Sequence, residues 1–244
     1  MLLEQSLNGG YKGLYGEVVT YDSYKLRTLN FIPDLIIDIG ANVGVFSRFA
    51  RELFPNAKIV AVEPHPENIE VLTEYAPDNI TIIPAALGKG QLWHNKGAVN
   101  GAHESYVCTG LGFNDNEMSD ANSTEKSDIK TIMLQDLITI DYYYSDIKIL
   151  MKIDCEGGEN VIWDDENSMS ILKRMDYIAM ETHFYALHGG PLYDEMKQKT
   201  LAGIESLKVT HKVDFTHPYL FARKRTTPLS KVITYEPTSQ DTIS

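Results

Sequence analysis

The sequence predicts an α/β protein built on an open, doubly wound, mostly parallel sheet with an antiparallel strand at its edge. Three observations predict this. Short apolar runs alternate with segments of helical spacing, a glycine-containing turn follows the first apolar run, and the final patterned stretch reads as a strand pair. A chain of 244 residues with 43% hydrophobic composition has enough material for one domain with a sizeable core.

The residues before Pro33 are rich in tyrosine (Tyr11, Tyr15, Tyr21, Tyr24) and read as a loop and a short helix. They either pack on the domain or cap a substrate cleft, where tyrosine rings and hydroxyls would face a polar ligand, so residues 1–34 form an N-terminal cap segment. Leu35 to Ile39 is apolar on both faces, as a central parallel strand must be. Val45, Phe46, Phe49, Ala50, Leu53 and Phe54 then recur with helical spacing, and Pro55-Asn56 closes that helix. Ile59 to Val62 is a second strand, Pro66 to Tyr75 a helix with proline in its first turn, and Ile80 to Pro84 a third strand.

Periodicity fails over Lys89 to Lys130, where Gly, Asn, Ser and Asp collect around scattered aromatics such as Trp93, Tyr106 and Phe113. A segment of that length reads as an insertion holding one hairpin. Order returns with a strand at Thr131 to Leu134, a short helix around Gln135 to Tyr143 and the strand Ile147 to Ile153. A helix clearest over Ser168 to Met175, a strand Asp176 to Met180 and an amphipathic helix Leu192 to Leu207 follow. His211 to Phe215 and Tyr219 to Lys224 form the terminal pair, and the tail from Thr226 is irregular. The domain thus covers about 35–225.

Charge and composition narrow the function. A net charge of −12, from 34 acidic and 22 basic residues, opposes a nucleic-acid partner, because phosphate binding needs Lys and Arg to displace counterions. No apolar run approaches the roughly 20 residues of a membrane span, and Met1 to Gly10 lacks the features of a signal peptide. The sequence therefore reads as soluble and cytoplasmic. Cys108 and Cys155 are too few for a disulfide framework and lack a metal-binding spacing.

Ligands on doubly wound sheets bind at the carboxyl ends of the strands. There the first strand ends in Asp38-Ile39-Gly40-Ala41-Asn42-Val43-Gly44, with glycines where backbone must turn sharply and approach a ligand. Dinucleotide enzymes place Gly-x-Gly-x-x-Gly here for a pyrophosphate. A leading carboxylate would repel that group, but it suits the ammonium of an amino-acid-containing cofactor, directly or through water. Glu63, in Val62-Glu63-Pro64, ends the next strand where an acid can accept both ribose hydroxyls. Singly, Asp38 also reads as a capping carboxylate and Glu63 as a surface acid. Together they favour S-adenosylmethionine over NAD.

With those residues, the chain resembles the FkbM family of class I methyltransferases. Three segments carry the resemblance: Asp38 to Gly44, Val62 to Asn68, and Lys152-Ile153-Asp154-Cys155-Glu156-Gly157-Gly158-Glu159, which holds every fixed position of the family's Lys-Ile-Asp-x-Glu-Gly-x-Glu. The match runs from about Leu35 to Lys224 and is weak in the N-terminal segment and the insertion. The resemblance implies a seven-stranded, Rossmann-like class I methyltransferase sheet and methylation of a hydroxyl oxygen on a sugar, glycan or hydroxylated small molecule. It also implies cofactor contacts from Asp38, Gly40, Ala41, Asn42, Gly44, Glu63 and Pro64, Ala85-Ala86 near the adenine, and Asp154 and Glu156 at the reacting end.

An alcohol must lose its proton as it takes a methyl group, so a positioned base or a metal is expected. Asp154, Glu156 and Glu159 follow one strand, Glu181 and His183 the next, and adjacent strands lie about 4.8 Å apart. His183 or Asp154 is the expected base, with the other group orienting the hydroxyl. His188, beside Gly189-Gly190-Pro191, ranks below His183. Asp154, Glu181 and His183 could alternatively hold Mg or Mn, which is not favoured. Glu159 reads as a first-turn acid facing a helix dipole, and Lys152 as structural. The residues after Asp154 depart from the Asn/Asp-Pro-Pro-aromatic pattern that often meets nitrogen acceptors, which favours oxygen over a nitrogen or carboxylate acceptor. Readings from other classes are an NAD-dependent oxidoreductase, which would want glycine at position 38, and a non-catalytic binding module.

Overall fold

The computed structural model describes residues 11–76, 78–95, 106–108, 124–138, 146–183 and 191–225. His188, the tail from Thr226 and most of the 89–130 segment lie outside the described residues.

The chain enters through α1 (Lys12–Tyr15), a π-helical turn at Gly16–Thr20 and a 3-10 turn at Leu26–Thr28. It then runs as β1 (Leu35–Ile39), α2 (Val45–Leu53), β2 (Lys58–Glu63), α3 (Pro66–Glu74) and β3 (Ile80–Leu87). Next come β4 (Leu92–Asn95), β5 (Tyr106–Cys108), β6 (Thr124–Lys126), β7 (Lys130–Ile132), α4 (Leu134–Leu137) and β8 (Ile149–Ile153). A 3-10 turn at Gly158–Ile162, α5 (Glu166–Arg174), β9 (Tyr177–Glu181), α6 (Pro191–Leu207), β10 (His211–Thr216) and β11 (Tyr219–Lys224) complete it.

The main sheet has the order β10-β11-β9-β8-β1-β2-β3-β7. Its neighbours are parallel except at β11, which is antiparallel to both β9 and β10. The fold is thus the α/β, mostly parallel architecture that the alternating runs predict. β1 is central and wholly buried, and its side chains divide between two cores by their period of two. Leu35, Ile37 and Ile39 join Leu172 of α5 and Ile204 and Leu207 of α6. Ile36 joins Phe46, Phe49 and Ala50 of α2 together with Val18, Val19, Leu26 and Phe31 of the N-terminal segment. That segment is therefore one wall of a core.

Several boundaries differ from the sequence reading. The sheet has eight strands rather than seven, because the insertion returns as β7 and supplies hydrogen-bond partners to Ala85, Ala86 and Leu87. The same pairing carries β3 past Pro84 to Leu87, so Ala85 and Ala86 lie within a strand and not after it. The described part of the insertion forms a three-stranded antiparallel sheet, β5-β4-β6, rather than one hairpin. Asp176 precedes β9 because its carboxylate turns to accept the Ile149 N–H at 2.9 Å and pairs with Lys148 and Arg174. α5 starts at Glu166, ahead of Ser168, because Asp165 caps it by accepting the Ser168 N–H at 2.7 Å. Among the described residues no helix is long and apolar enough to cross a membrane.

Gly203 of α6 packs against Trp163, and a Cβ there would stand 2.2 Å from the indole Cε3. Gly203→Val is expected to lower stability by about 1–3 kcal/mol through overpacking. Urea unfolding checks this, and an unchanged midpoint would contradict the packing described.

Candidate active site

Asp38 of β1 and Lys152 of β8 are partners in register, and the period of two puts Asp154 on the same side, toward α2. Lys152 is buried there. Its ammonium donates to the carbonyls of Gly40 (2.6 Å) and Ile39 (3.3 Å), and it lies 3.3 Å from Asp38 Oδ1 and 3.8 Å from Asp154 Oδ2. Burial opposes its charge, but Asp38 and Asp154 outweigh that and hold its pKa above the ordinary lysine value. Lys152, set aside in the sequence reading as structural, links the glycine turn to the reacting carboxylate.

Asp38 is fully buried; its Oδ2 accepts the Ser47 hydroxyl at 2.7 Å and its Oδ1 faces Lys152. In this arrangement Asp38 anchors the turn from beneath. Gly40 and Gly44 have φ of +74° and +83°, the left-handed region that favours glycine. A Cβ on Gly40 would stand 1.7 Å from the Asp154 carbonyl oxygen, and one on Gly44 would stand 2.4 Å from Leu72 Cδ1. The immediate need for both glycines is therefore close approach to β8 and α3, where the sequence reading assigned it to a ligand.

The turn also consumes its own donors. Gly40 and Ala41 donate to the Val62 carbonyl (2.9 and 3.0 Å), Asn42 to Glu63 Oε2 (2.8 Å), Val43 to Asn42 Oδ1 (2.7 Å) and Gly44 to the Ala41 carbonyl (2.9 Å). Glu63 ends β2 nearly buried beside half-buried Pro64, and its Oε1 accepts from the His65 N–H and the Asn68 amide. Burial raises its pKa against these hydrogen bonds. Ala85 and Ala86 sit buried in β3.

At the ends of β8 and β9 the predicted reacting groups converge. His183 is 1% exposed, and its Nε2 lies 3.5 Å from Asp154 Oδ1, 3.5 Å from Glu156 Oε2 and 3.8 Å from Glu181 Oε1. Its Nδ1 lies 3.1 Å from Glu159 Oε1, which also accepts the His183 backbone N–H at 2.6 Å. Glu159 is equally buried, so it does not stand in solvent as a simple dipole-facing acid. The Tyr24 hydroxyl donates to Asp154 Oδ2 at 2.6 Å, bringing the N-terminal segment to the site, whereas Tyr21 is 79% exposed. Cys155 is a free, half-buried thiol whose pKa is pushed well up by burial and by Glu159.

Sequence reasoning grouped Glu159 with Asp154 and Glu156 but read it as a first-turn acid, and it missed the contact of Tyr24 with Asp154. Glu159 stood in the diagnostic motif, which was its signal; Tyr24 carried none beyond the richness in tyrosine around it.

The comparisons follow this geometry. Residues 38–203 match the family described as Methyltransferase FkbM domain. The chain belongs to the FkbM methyltransferase family. A 60-residue stretch is 40% identical to methyltransferase sdnD of Sordaria araneosa, covering 25% of this chain and 23% of that protein, so the match spans about a quarter of that relative. Among solved structures, the FkbM-family chain is similar to a putative caffeoyl-CoA O-methyltransferase from Staphylococcus aureus, at 12% identity and a TM-score of 0.46, over 91% of this chain and 95% of that one. It is also similar to precorrin-6y C5,15-methyltransferase from Geobacter metallireducens GS-15, at 15% identity and a TM-score of 0.42, over 83% and 86%.

Charge in the cluster is uneven. For His183, burial disfavours the imidazolium, but the Glu159 hydrogen bond and the charges of Glu159, Glu156 and Asp154 outweigh it and raise the pKa to about 9. Burial, reinforced by Asp154 and partly offset by His183, raises Glu181 to about 7. Burial and Asp154 push the Tyr24 phenol well up. Asp154, Glu156 and His183 also present one ligand atom each within 4.8 Å of one another, hard oxygens and an imidazole that could take Mg or Mn. Here Glu156 stands where the sequence reading put Glu181.

Because the folded pKa of His183 lies above the ordinary 6.5, its stabilising effect is complete below about 6.5 and is lost as pH rises through about 9. The stability difference between the wild type and His183→Gln is expected to shrink by roughly 1–3 kcal/mol across that window. Denaturant unfolding at several pH values measures it, and a constant difference would contradict the raised pKa.

Proposed function

We propose that this FkbM-family chain is an S-adenosylmethionine-dependent O-methyltransferase acting on a hydroxyl of a sugar, glycan or hydroxylated small molecule. The observation that carries the proposal is the buried ammonium of Lys152, joining the Asp38–Gly44 turn to the Asp154, Glu156, Glu181 and His183 cluster.

The donor chemistry of the turn supports the cofactor. A pyrophosphate needs free backbone N–H groups, and those of Gly40 to Gly44 are all engaged internally. What the turn and its flank offer is carbonyls and carboxylates, suited to a ligand with a positive charge and hydroxyls. Glu63 Oε2 accepts one hydrogen bond from the protein and keeps capacity for a ribose hydroxyl. Gly40, Asn42 and Pro64 are half-buried around it, while Asp38 supports the turn through Lys152 and Ser47. The cofactor, when bound, supplies a methyl group activated by a sulfonium.

The cluster supports a hydroxyl acceptor. As the hydroxyl oxygen takes the methyl group, its proton has to leave, and the best acceptor has a pKa near the working pH. Glu181, at about 7, fits. His183, at about 9, holds its proton at neutral pH, which revises the expectation that it takes one. Protonated His183 faces Asp154 and Glu156 at 3.5 Å, and the Asp154 carboxylate accepts the hydroxyl hydrogen bond that orients the acceptor.

Turnover of labelled S-adenosylmethionine, screened across glycans, nucleotide sugars and small hydroxylated acceptors, tests the reading. Glu181→Gln and Asp154→Asn should each lower kcat by about 10²- to 10⁴-fold, with cofactor affinity by calorimetry nearly unchanged. NAD binding in place of S-adenosylmethionine would sink it, and methylation confined to amines or carboxylates would move the acceptor. In the wild type, kcat/KM should rise with pH through about 7 as the cluster loses a proton, and Glu181→Gln should flatten that limb. A chelator is expected to leave turnover unchanged; loss restored by Mg or Mn would make the cluster a metal site instead.

A further inference from the structure

We infer that Glu159 is the positioning residue for His183: it holds the ring by its Nδ1–H and so aims Nε2 at Asp154, Glu156 and Glu181. The inference rests on the reading above that this cluster is the reacting end.

The geometry is that of a clamp. Glu159 Oε1 takes both the backbone N–H of His183 at 2.6 Å and its ring Nδ1 at 3.1 Å, which sets the residue's main chain and its ring plane from one atom. Glu159 Oε2 accepts the Gly157 N–H at 2.9 Å and lies 3.5 Å from Cys155 Sγ. The carboxylate is itself held against the turn that follows Asp154. Asn160, the next residue, donates its side-chain amide to the His183 carbonyl at 3.2 Å and to the Gly157 carbonyl at 3.0 Å. Two adjacent residues of one 3-10 turn thus pin both backbone polar groups of His183.

A carboxylate that accepts can bind Nδ1 only as an N–H donor. The partner of one imidazole nitrogen sets the state of the other. With Nδ1–H committed to Glu159, Nε2 is the nitrogen left to face the three carboxylates. Without Glu159 the ring could turn over, and the Asp154 carboxylate would lose a fixed neighbour. Glu159 is buried, and its other contacts, the Gly157 N–H and the Cys155 thiol, hold its carboxylate in place for His183.

The test is nitrogen-15 NMR of the histidine rings at about neutral pH, with His183→Gln identifying the His183 signals among the seven histidines. In the wild type, His183 should show a protonated Nδ1 whose hydrogen exchanges slowly. A His183 protonated on Nε2 alone would overturn the inference without any variant having to fold. In Glu159→Gln the Nδ1 hydrogen should exchange faster, and an unchanged exchange rate with unchanged His183 ring shifts would equally overturn it. Kinetically, Glu159→Gln should lower kcat about 10- to 100-fold with cofactor affinity within about twofold. The NMR result needs no acceptor, so it stands or falls apart from O-methylation; an active enzyme whose kcat is untouched by Glu159→Gln would refute the positioning role alone.

Discussion

Lys152 is the interaction on which the rest of the site depends. One ammonium, buried between adjacent strands, donates to two carbonyls and answers two carboxylates, of which Asp38 would otherwise be buried without a counter-charge. Removing one partner of such a buried set leaves an uncompensated charge, which is far more costly than the set is favourable. Its position follows from register. Because β1 and β8 are parallel neighbours with Asp38 opposite Lys152, the residue two further along β8 must be the acid that shares the ammonium. The glycine turn and Asp154 are set at a fixed separation by the pleat of the sheet.

The glycines of the turn extend this argument. Gly40 lies so close to the Asp154 carbonyl that any side chain would separate the two strand ends. Asp154 donates its own N–H to the Ile39 carbonyl at 3.0 Å, continuing the ladder to that point. Glycine here preserves contact between strands, and that contact brings a carboxylate of β8 to the edge of the turn after β1. The packing of the main chain and the placement of the chemistry have one cause.

Much of this was legible in the sequence, for physical reasons that can be named. β1, α2 and β2 could be read because their apolar residues repeat with the period of the element that buries them, and Asp38, Glu63, Asp154, Glu181 and His183 because they end strands. Less could be read where a partner lies far along the chain. Glu159 meets His183 across 24 residues and Tyr24 meets Asp154 across 130, and no local pattern announces either pairing. The extension of β3 was hidden for the same reason, since it depends on β7 returning from the insertion. Proton affinities were the least legible. The pKa values of His183 and Glu181 are set by the whole cluster, so neither could be read before the distances were known.

The N-terminal segment gives the family match a different outline from the folded object. The matched span begins at Asp38, after most of β1, yet Val18, Val19, Leu26 and Phe31 cover Phe46 and Phe49, and the Tyr177 hydroxyl bonds the Tyr24 carbonyl. The hydrophobic surface of α2 finds its cover upstream of the part that relatives share. The matched span and the packed core are therefore not the same stretch of chain. Tyr24, which reaches Asp154 with its hydroxyl, is at the same time part of that cover, so a change there disturbs the packing on α2 as well as the cluster.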